Sequence, residues 1–152
     1  MKVMIDTNIY DCLIVDEEVL SLVRSLIGEE IIEILTTHIQ IDEVNNVNDI
    51  TMRNNLLTVP TNEIKTRILV IGHSRIGKSK IGIGKENGIK FISIHKDNPK
   101  HINDAIIAVT ANANADILVT EDKKLKQKVQ AQSSKLQVWN YKEFKEHIIH
   151  YR

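Results

Sequence analysis

Short apolar runs alternate with segments of helical periodicity along this chain, and this alternation constrains its fold more than any other feature. Five runs resemble buried strands in length and composition: KVMID at 2–6, IIEILTT at 31–37, IKFISI at 89–94, DILVT at 116–120 and LQVW at 136–139. Strands separated by helices predict a parallel sheet that is covered on both faces. We therefore predict an α/β protein, a single domain over residues 1–152, with three α/β/α layers around a parallel sheet of about four to five strands.

Apolar residues that recur every three or four positions predict the helices between these runs. The predicted helices span 8–27, 38–46, 48–57 with Asn48 as the cap, 62–72 with Thr61 or Asn62 as the cap, 101–115, 123–130 and 141–151. Five of the six glycines lie in 72–88, which therefore reads as a loop, and KDNP at 96–99 reads as a turn.

Charge is distributed unevenly although the 20 basic and 20 acidic residues cancel. Residues 1–64 carry 3 Lys/Arg against 12 Asp/Glu, whereas residues 65–100 carry 9 against 2. An acidic first part beside a basic middle suits a site where carboxylates hold metal and a neighbouring surface receives phosphates. A solvated charge pattern with no partner is the alternative interpretation.

Composition indicates a cytoplasmic protein. Cys12 is the only cysteine, which excludes an intrachain disulfide, argues against a thiolate zinc site and suits a reducing compartment. The apolar run at the N-terminus is too short for a signal peptide, and no stretch approaches 18 uninterrupted apolar residues. We therefore expect no membrane association.

GHSRIGKS at 72–79 matches the phosphate-binding loop G-x-x-x-x-G-K-[ST]. Such a loop needs a strand before it and a helix directly after Lys-Ser, because the helix N-terminus holds the phosphates. Here Gly82, Gly84 and Gly88 follow, which makes a helix start improbable. A flexible basic loop that lies along a nucleic-acid backbone is the favoured reading, and an ordinary surface loop remains open.

Four acidic residues stand at corresponding places in the predicted elements. Asp6 ends the first strand, and Glu43 lies on the helix after the second. Asp104 lies in the first turn of the helix at 101–115, which follows the third predicted strand at 89–94, and Asp122 follows the strand at 116–120. In a parallel sheet these places can converge at the carboxyl edge, where crowded carboxylates favour a divalent cation. Taken singly, each acid has a structural role open to it, as a helix cap, a dipole partner or a solvated side chain.

The chain resembles the PIN-domain family of metal-dependent ribonucleases at these positions. The resemblance runs from MIDTN at 4–8, through DEV at 42–44, to NDAIIAVTANANADILVTED at 103–122, and so covers most of the chain. It implies that Asp6, Glu43, Asp104 and Asp122 are the catalytic acids that bind Mg²⁺ or Mn²⁺. It also implies supporting polar contacts from Thr7, Asn8 and Thr120, and it leaves Asp116 as a structural acid.

The resemblance further implies single-stranded RNA as substrate, cleaved by ion-activated water. Arg75, Lys78 and Lys80 in the glycine-rich segment would contact the RNA backbone. Many small members are toxins of bacterial toxin–antitoxin pairs, and most form homodimers, so an antitoxin protein and a second copy are the implied partners. Other members are RNA-processing nucleases, and no feature of this sequence separates the two roles.

The same residues leave alternative functions open. A haloacid-dehalogenase-like phosphatase also opens with a strand ending in Asp, but it usually carries a second Asp where this chain has Asn8. A catalytically inactive PIN-like protein that binds RNA or a partner is the alternative to the nuclease. A histidine base at His73, His95 or His101 is possible, although metal-activated water makes it unnecessary and a surface or packing role is favoured.

Overall fold

Five parallel strands form one sheet in the computed structural model, which describes residues 1–80, 91–94, 101–133 and 135–151. The strands are β1 (Lys2–Ile5), β2 (Glu33–Thr36), β3 (Asn62–Glu63), β4 (Ile117–Val119) and β5 (Gln137–Trp139). Their order across the sheet is β3-β2-β1-β4-β5. The predicted α/β class and parallel sheet are confirmed. With β1 in the centre, its carboxyl end lies between those of β2 and β4.

Helices lie between successive strands, and one more follows the last strand. They are α1 (Thr7–Val15), α2 (Glu17–Gly28), α3 (His38–Asn45), α4 (Ile50–Leu56), α5 (Ile102–Asn114), α6 (Lys123–Gln130) and α7 (Tyr141–Ile149), and residues 91–94 are also helical. No helix within the described ranges combines the length and the apolar character needed to cross a membrane.

The sheet separates two apolar cores, as strand alternation requires. Val3 and Ile5 of β1 pack on one face with α1, α2, α4 and α7. Met4 between them packs on the other face with Ile106 of α5 and Leu125 of α6. This arrangement is consistent with the predicted three layers, and both faces of β1 are buried. The carboxyl edge of the sheet is therefore the place where side chains from the strand ends reach a surface.

The predicted helix over 8–27 is two helices. Asp16 ends α1 and accepts a hydrogen bond from the Val19 amide as the N-cap of α2. A short polar side chain that accepts hydrogen bonds from amides two or three residues later is more stable at a helix cap than inside a helix. Asp16 therefore ends the helix, although the apolar residues continue at helical spacing on both sides of it. Asn48 does not cap the next helix: Asp49 does, through the Met52 amide at 2.9 Å.

Two further elements differ from their predictions. The predicted helix over 62–72 is replaced by β3 and a chain of turns, because β2 offers an open edge with which Asn62 and Glu63 pair. Ile71 is 93% exposed although Ile68 is fully buried, so the positions 64, 68 and 71 do not share one buried face. Residues 91–94 are helical and not a strand, whereas 89–90 and the predicted turn at 96–99 lie outside the described residues.

Residues 66–80 form turns with no helix or strand, so the predicted loop is confirmed over 72–80. Residues 81–88 of that predicted loop lie outside the described residues. Gly72 and Gly77 both adopt φ of 86°, a conformation that glycine permits without strain. Thr66 pairs with Ser79 in an isolated parallel bridge, and the Lys78 side chain binds Glu63. Residues 68–71 form no strand, so the match at 72–79 lacks the element that a phosphate loop follows.

Candidate active site

Asp6 lies where the chain leaves β1, and the residue is only 7% exposed. It begins α1 as its N-cap, with Oδ1 accepting a hydrogen bond from the Thr7 amide at 2.8 Å. Oδ2 accepts two more, from Asn8 Nδ2 at 2.9 Å and from Thr120 Oγ1 at 2.7 Å. These donors orient a buried carboxylate at the centre of the carboxyl edge.

The two predicted supporting residues beside Asp6 link it to β4 and to α3. Asn8 binds Asp6 and also accepts a hydrogen bond from the Glu121 amide at 3.2 Å, so it joins α1 to the turn after β4. Thr7 donates its hydroxyl to Glu43 Oε2. Side chains of the MIDTN segment thus connect the end of β1 with the turn after β4 and with α3.

Glu43 comes from α3, the helix that follows β2. Its second oxygen, Oε1, accepts a hydrogen bond from Asn103 Nδ2 at 2.9 Å. Asn103 lies in the first turn of α5, directly before Asp104. Asn103, which was not among the predicted site residues, therefore links α3, which carries Glu43, to α5, which carries Asp104.

Asp104 and Asp122 line one small cleft, which they share with His101, Lys124 and Lys128. His101 Nδ1 lies 3.3 Å from Asp104 Oδ2. Asp122 caps α6, with Oδ1 accepting from the amides of Lys124 at 2.7 Å and Leu125 at 3.0 Å. Asp122 thus has the helix-cap role that the sequence left open, and it lines the same cleft as Asp104.

Electrostatics couple three of the four acids. Burial raises the pKa of the Asp6 carboxyl above its ordinary value, and the negative charges of Asp104 and Glu43 raise that pKa further, against the lowering by its hydrogen bonds from Thr120 and Thr7. Carboxylates of α3 and α5 therefore act on Asp6, the residue that follows β1. The helix N-termini of α1, α5 and α6 also point to this edge and favour negative charge there.

The donor set suits a hard divalent cation. Carboxylate oxygens are the ligands that Mg²⁺ and Mn²⁺ prefer, and a cation would offset the repulsion that Asp6 experiences. In the part of the chain that the structure describes, no three His, Cys, Asp or Glu side chains stand close enough to form a metal cluster. The residues fit the ion by chemistry, and their side chains would have to close around it.

The predicted substrate-binding cations lie beside this edge, two of them in ion pairs. The Arg75 guanidinium lies 2.8 Å from Asp42 Oδ1, one residue before Glu43, and the Arg75 amide donates to His38 Nε2 at 3.3 Å. Lys78 binds Glu63 at the end of β3. Lys80 is exposed and forms no ion pair with a described residue.

Sequence reasoning missed Asn103, and it favoured a surface or packing role for His73, which lies 3.0 Å from Asn103 Oδ1. A single amide beside a conspicuous Asp carries no periodic signal, and the contact joins residues 30 positions apart. His95 lies outside the described residues. Asp116 stands at the opposite, amino edge of the sheet, where it accepts from the Lys2 amide at 2.7 Å.

Comparisons with known proteins do not identify this site. No family model matches the chain, and searches of curated proteins and of solved structures found no significant match.

Proposed function

We propose that this chain is a metal-dependent endoribonuclease of the PIN-domain type that cleaves single-stranded RNA. One observation carries the proposal: hydrogen bonds through Thr7 and Asn103 join Asp6, Glu43 of α3 and the first turn of α5, which bears Asp104, at the carboxyl edge of a parallel sheet. This edge is where open α/β sheets bind their ligands. Asp122 lines the same small cleft as Asp104 and is the fourth acid of the proposed set.

The chain's residues would divide the work as follows. Asp6, Glu43, Asp104 and Asp122 would hold one or two Mg²⁺ or Mn²⁺ ions, while Thr7, Asn8 and Thr120 keep the carboxylates oriented through the hydrogen bonds described above. When bound, the ion would lower the pKa of the attacking water and offset charge on the scissile phosphate. Arg75, Lys78 and Lys80 would bind backbone phosphates, the first two by leaving Asp42 and Glu63.

A catalytically inactive PIN-like protein that binds RNA or a partner is the second candidate. The observation that favours it is the absence, within the described residues, of three side chains already placed as a metal cluster. Such a protein would bind RNA through the same basic segment without cutting it.

A cleavage assay separates the two functions. A labelled single-stranded RNA pool is incubated with Mn²⁺, Mg²⁺ or EDTA and with wild type, Asp104→Asn or the matched control Glu146→Gln, which changes an exposed acid of α7. The nuclease predicts cleavage by wild type and control that needs metal and that Asp104→Asn abolishes. Binding without cleavage by the folded wild type under every condition would support the inactive binder.

The chemistry of the cut ends gives a further check. Attack by water does not use the 2′-hydroxyl of the RNA, so the products carry no 2′,3′-cyclic phosphate. A substrate with a 2′-deoxy residue at the cut position should still be cleaved. Cyclic-phosphate ends that persist in EDTA would point to a contaminating ribonuclease.

The proposed partners are a second copy and an antitoxin protein, the latter from the PIN resemblance alone. Exposed apolar side chains on α1 and α4 support the homodimer, since Val15 is 86% and Ile50 63% exposed. Sedimentation velocity should therefore give a dimer for wild type and a monomer for Ile50→Lys. A wild-type monomer at high micromolar concentration would reject the homodimer.

A further inference from the structure

Asn103 joins the candidate acid Glu43 to the basic segment. Its Nδ2 donates to Glu43 Oε1 at 2.9 Å, and its Oδ1 lies 3.0 Å from His73 Nδ1. We infer that Asn103, held in place by His73, is a positioning residue that fixes the Glu43 carboxylate for metal binding. This inference rests on the proposed function, because it assigns Asn103 and His73 a part in the same metal centre.

The chemistry of the three groups fixes the direction of the hydrogen bonds. An ionised carboxylate only accepts, so the NH₂ group of Asn103 must face Glu43. A flipped carboxamide would set two acceptor oxygens against each other. The Asn103 oxygen therefore faces His73, and His73 Nδ1 must carry the hydrogen that it donates. Neutral His73 is accordingly the Nδ1–H tautomer.

Glu43 is held at both oxygens as a result. Thr7 donates its hydroxyl to Oε2, and Asn103 donates to Oε1. Two donors from α1 and α5 restrict rotation of a carboxylate that α3 carries, and each oxygen keeps further lone pairs for a cation. Hydrogen-bonding partners of metal-binding carboxylates set metal affinity in this way, and their loss typically costs roughly 10- to 100-fold.

His73 belongs to the segment 66–80, which is anchored to both helices that carry the acids. Through His73 it contacts Asn103 on α5, and through Arg75 it contacts Asp42 and His38 on α3. The same short turn thus carries a candidate phosphate-binding cation and a support for a candidate metal-binding acid. RNA that binds Arg75 in place of Asp42 would therefore change a contact only two residues from His73.

Mn²⁺ affinity, measured by titration calorimetry without RNA, tests the inference. We expect Asn103→Ala and His73→Phe each to weaken Mn²⁺ binding by roughly tenfold or more. His73→Asn should retain most of the affinity, since its amide nitrogen occupies the place of Nδ1, whereas His73→Gln should not. Asn112→Ala, on the same helix, is the matched control and should bind as wild type does. Circular dichroism confirms that each variant is folded.

A spectroscopic readout distinguishes positioning from general stability. Long-range ¹H–¹⁵N NMR should show the Nδ1–H tautomer for His73 in wild type, with the signal assigned through its loss in His73→Asn. In Asn103→Ala the tautomer should shift toward Nε2–H, the form that prevails in free histidine, while the protein stays folded.

The outcomes separate this inference from the proposed function. Failure of wild type to bind Mn²⁺ would overturn both. Tight binding by wild type together with unchanged binding by folded Asn103→Ala and His73→Phe would overturn the positioning role alone. An Nε2–H tautomer in wild type, or equal losses for His73→Asn and His73→Phe, would remove His73 from it.

Discussion

Gln40 shows how single side chains hold the carboxyl edge in place. It is fully buried, and its Nε2 donates to the Ile5 carbonyl at 2.6 Å, directly before Asp6. Its Oε1 accepts from the Thr37 amide at 2.7 Å and so closes the start of α3. One carboxamide therefore ties the end of β1 to the helix that carries Glu43, and it satisfies backbone groups that would otherwise be buried without partners.

Gln40→Leu should lower the free energy of unfolding by roughly 2 kcal/mol or more, because it leaves the Ile5 carbonyl and the Thr37 amide unsatisfied. Urea denaturation followed by circular dichroism measures the change. Gln127→Leu, at an exposed position of α6, should stay within about 0.5 kcal/mol of wild type. Equal stability of wild type and Gln40→Leu would show that these hydrogen bonds contribute little.

At the scale of elements, Asp16 fixes how α1, α2 and α7 meet. Its Oδ1 caps α2, and its Oδ2 lies 2.6 Å from Lys145 Nζ on α7. The hydrogen bond and charge of Lys145 hold the pKa of the Asp16 carboxyl below its ordinary value, more strongly than burial raises it. The break between α1 and α2, which the apolar spacing did not predict, is thus the place where three helices meet.

Asp16→Asn should be less stable than wild type by up to about 1 kcal/mol at pH 7, and by nothing at low pH. The folded-state pKa lies below the unfolded value of about 3.9, so the charge stabilises the fold above that pH and is lost as pH falls through the folded-state pKa. Asp16→Ala also loses the cap, at a cost of about 1 kcal/mol that should persist in acid.

Thermal unfolding at pH 7 and near pH 2 measures both differences. Asp11→Asn, an exposed acid on α1, is the control and should stay within about 0.5 kcal/mol at each pH. A deficit of Asp16→Asn that grows on acidification would contradict the sign of the shift.

At the scale of the whole molecule, acidic and basic residues lie in different parts of the sequence, and the fold brings some of them together in ion pairs. Residues 1–64 carry 12 acids against 3 bases, and the basic segment that follows returns to them through Arg75–Asp42 and Lys78–Glu63. These pairs are exposed and contribute little to stability. They keep cations beside the carboxyl edge, where phosphates would compete for them.

RNA affinity should depend most on Lys80, since Lys78 must first leave Glu63. Fluorescence anisotropy with labelled single-stranded RNA, in an Asp104→Asn background, gives affinity against salt concentration. Lys80→Ala should reduce the slope of log K against log salt by roughly 0.7, and Lys78→Ala should have a smaller effect. Lys142→Ala on α7 should change neither quantity. Salt dependence that is unaltered in Lys80→Ala would place the RNA elsewhere.

The sequence predicted the layers well because strand runs such as VMI at 3–5 and ILV at 117–119 are buried on both faces and carry a strong apolar signal. It failed over 62–72, where pairing of Asn62 and Glu63 with the edge of β2 overrides a weak helical period. The position of Asp6 followed from topology, whereas Asp104 was expected after a strand at 89–94, of which residues 91–94 are helical. The role of Asn103 was not predicted, because hydrogen bonds between residues 60 positions apart leave no local pattern.

A Mn²⁺-soaked crystal, with anomalous diffraction recorded near the manganese edge, tests the central claim most directly. We predict a peak at the carboxyl edge, about 2.0–2.3 Å from carboxylate oxygens of Asp6 and Asp104, with Glu43 or Asp122 as a further ligand. The peak should vanish in folded Asp104→Asn at the same Mn²⁺ concentration. A crystal with ordered side chains at this edge and no manganese beside them, at saturating Mn²⁺, would contradict a metal-dependent nuclease centre here.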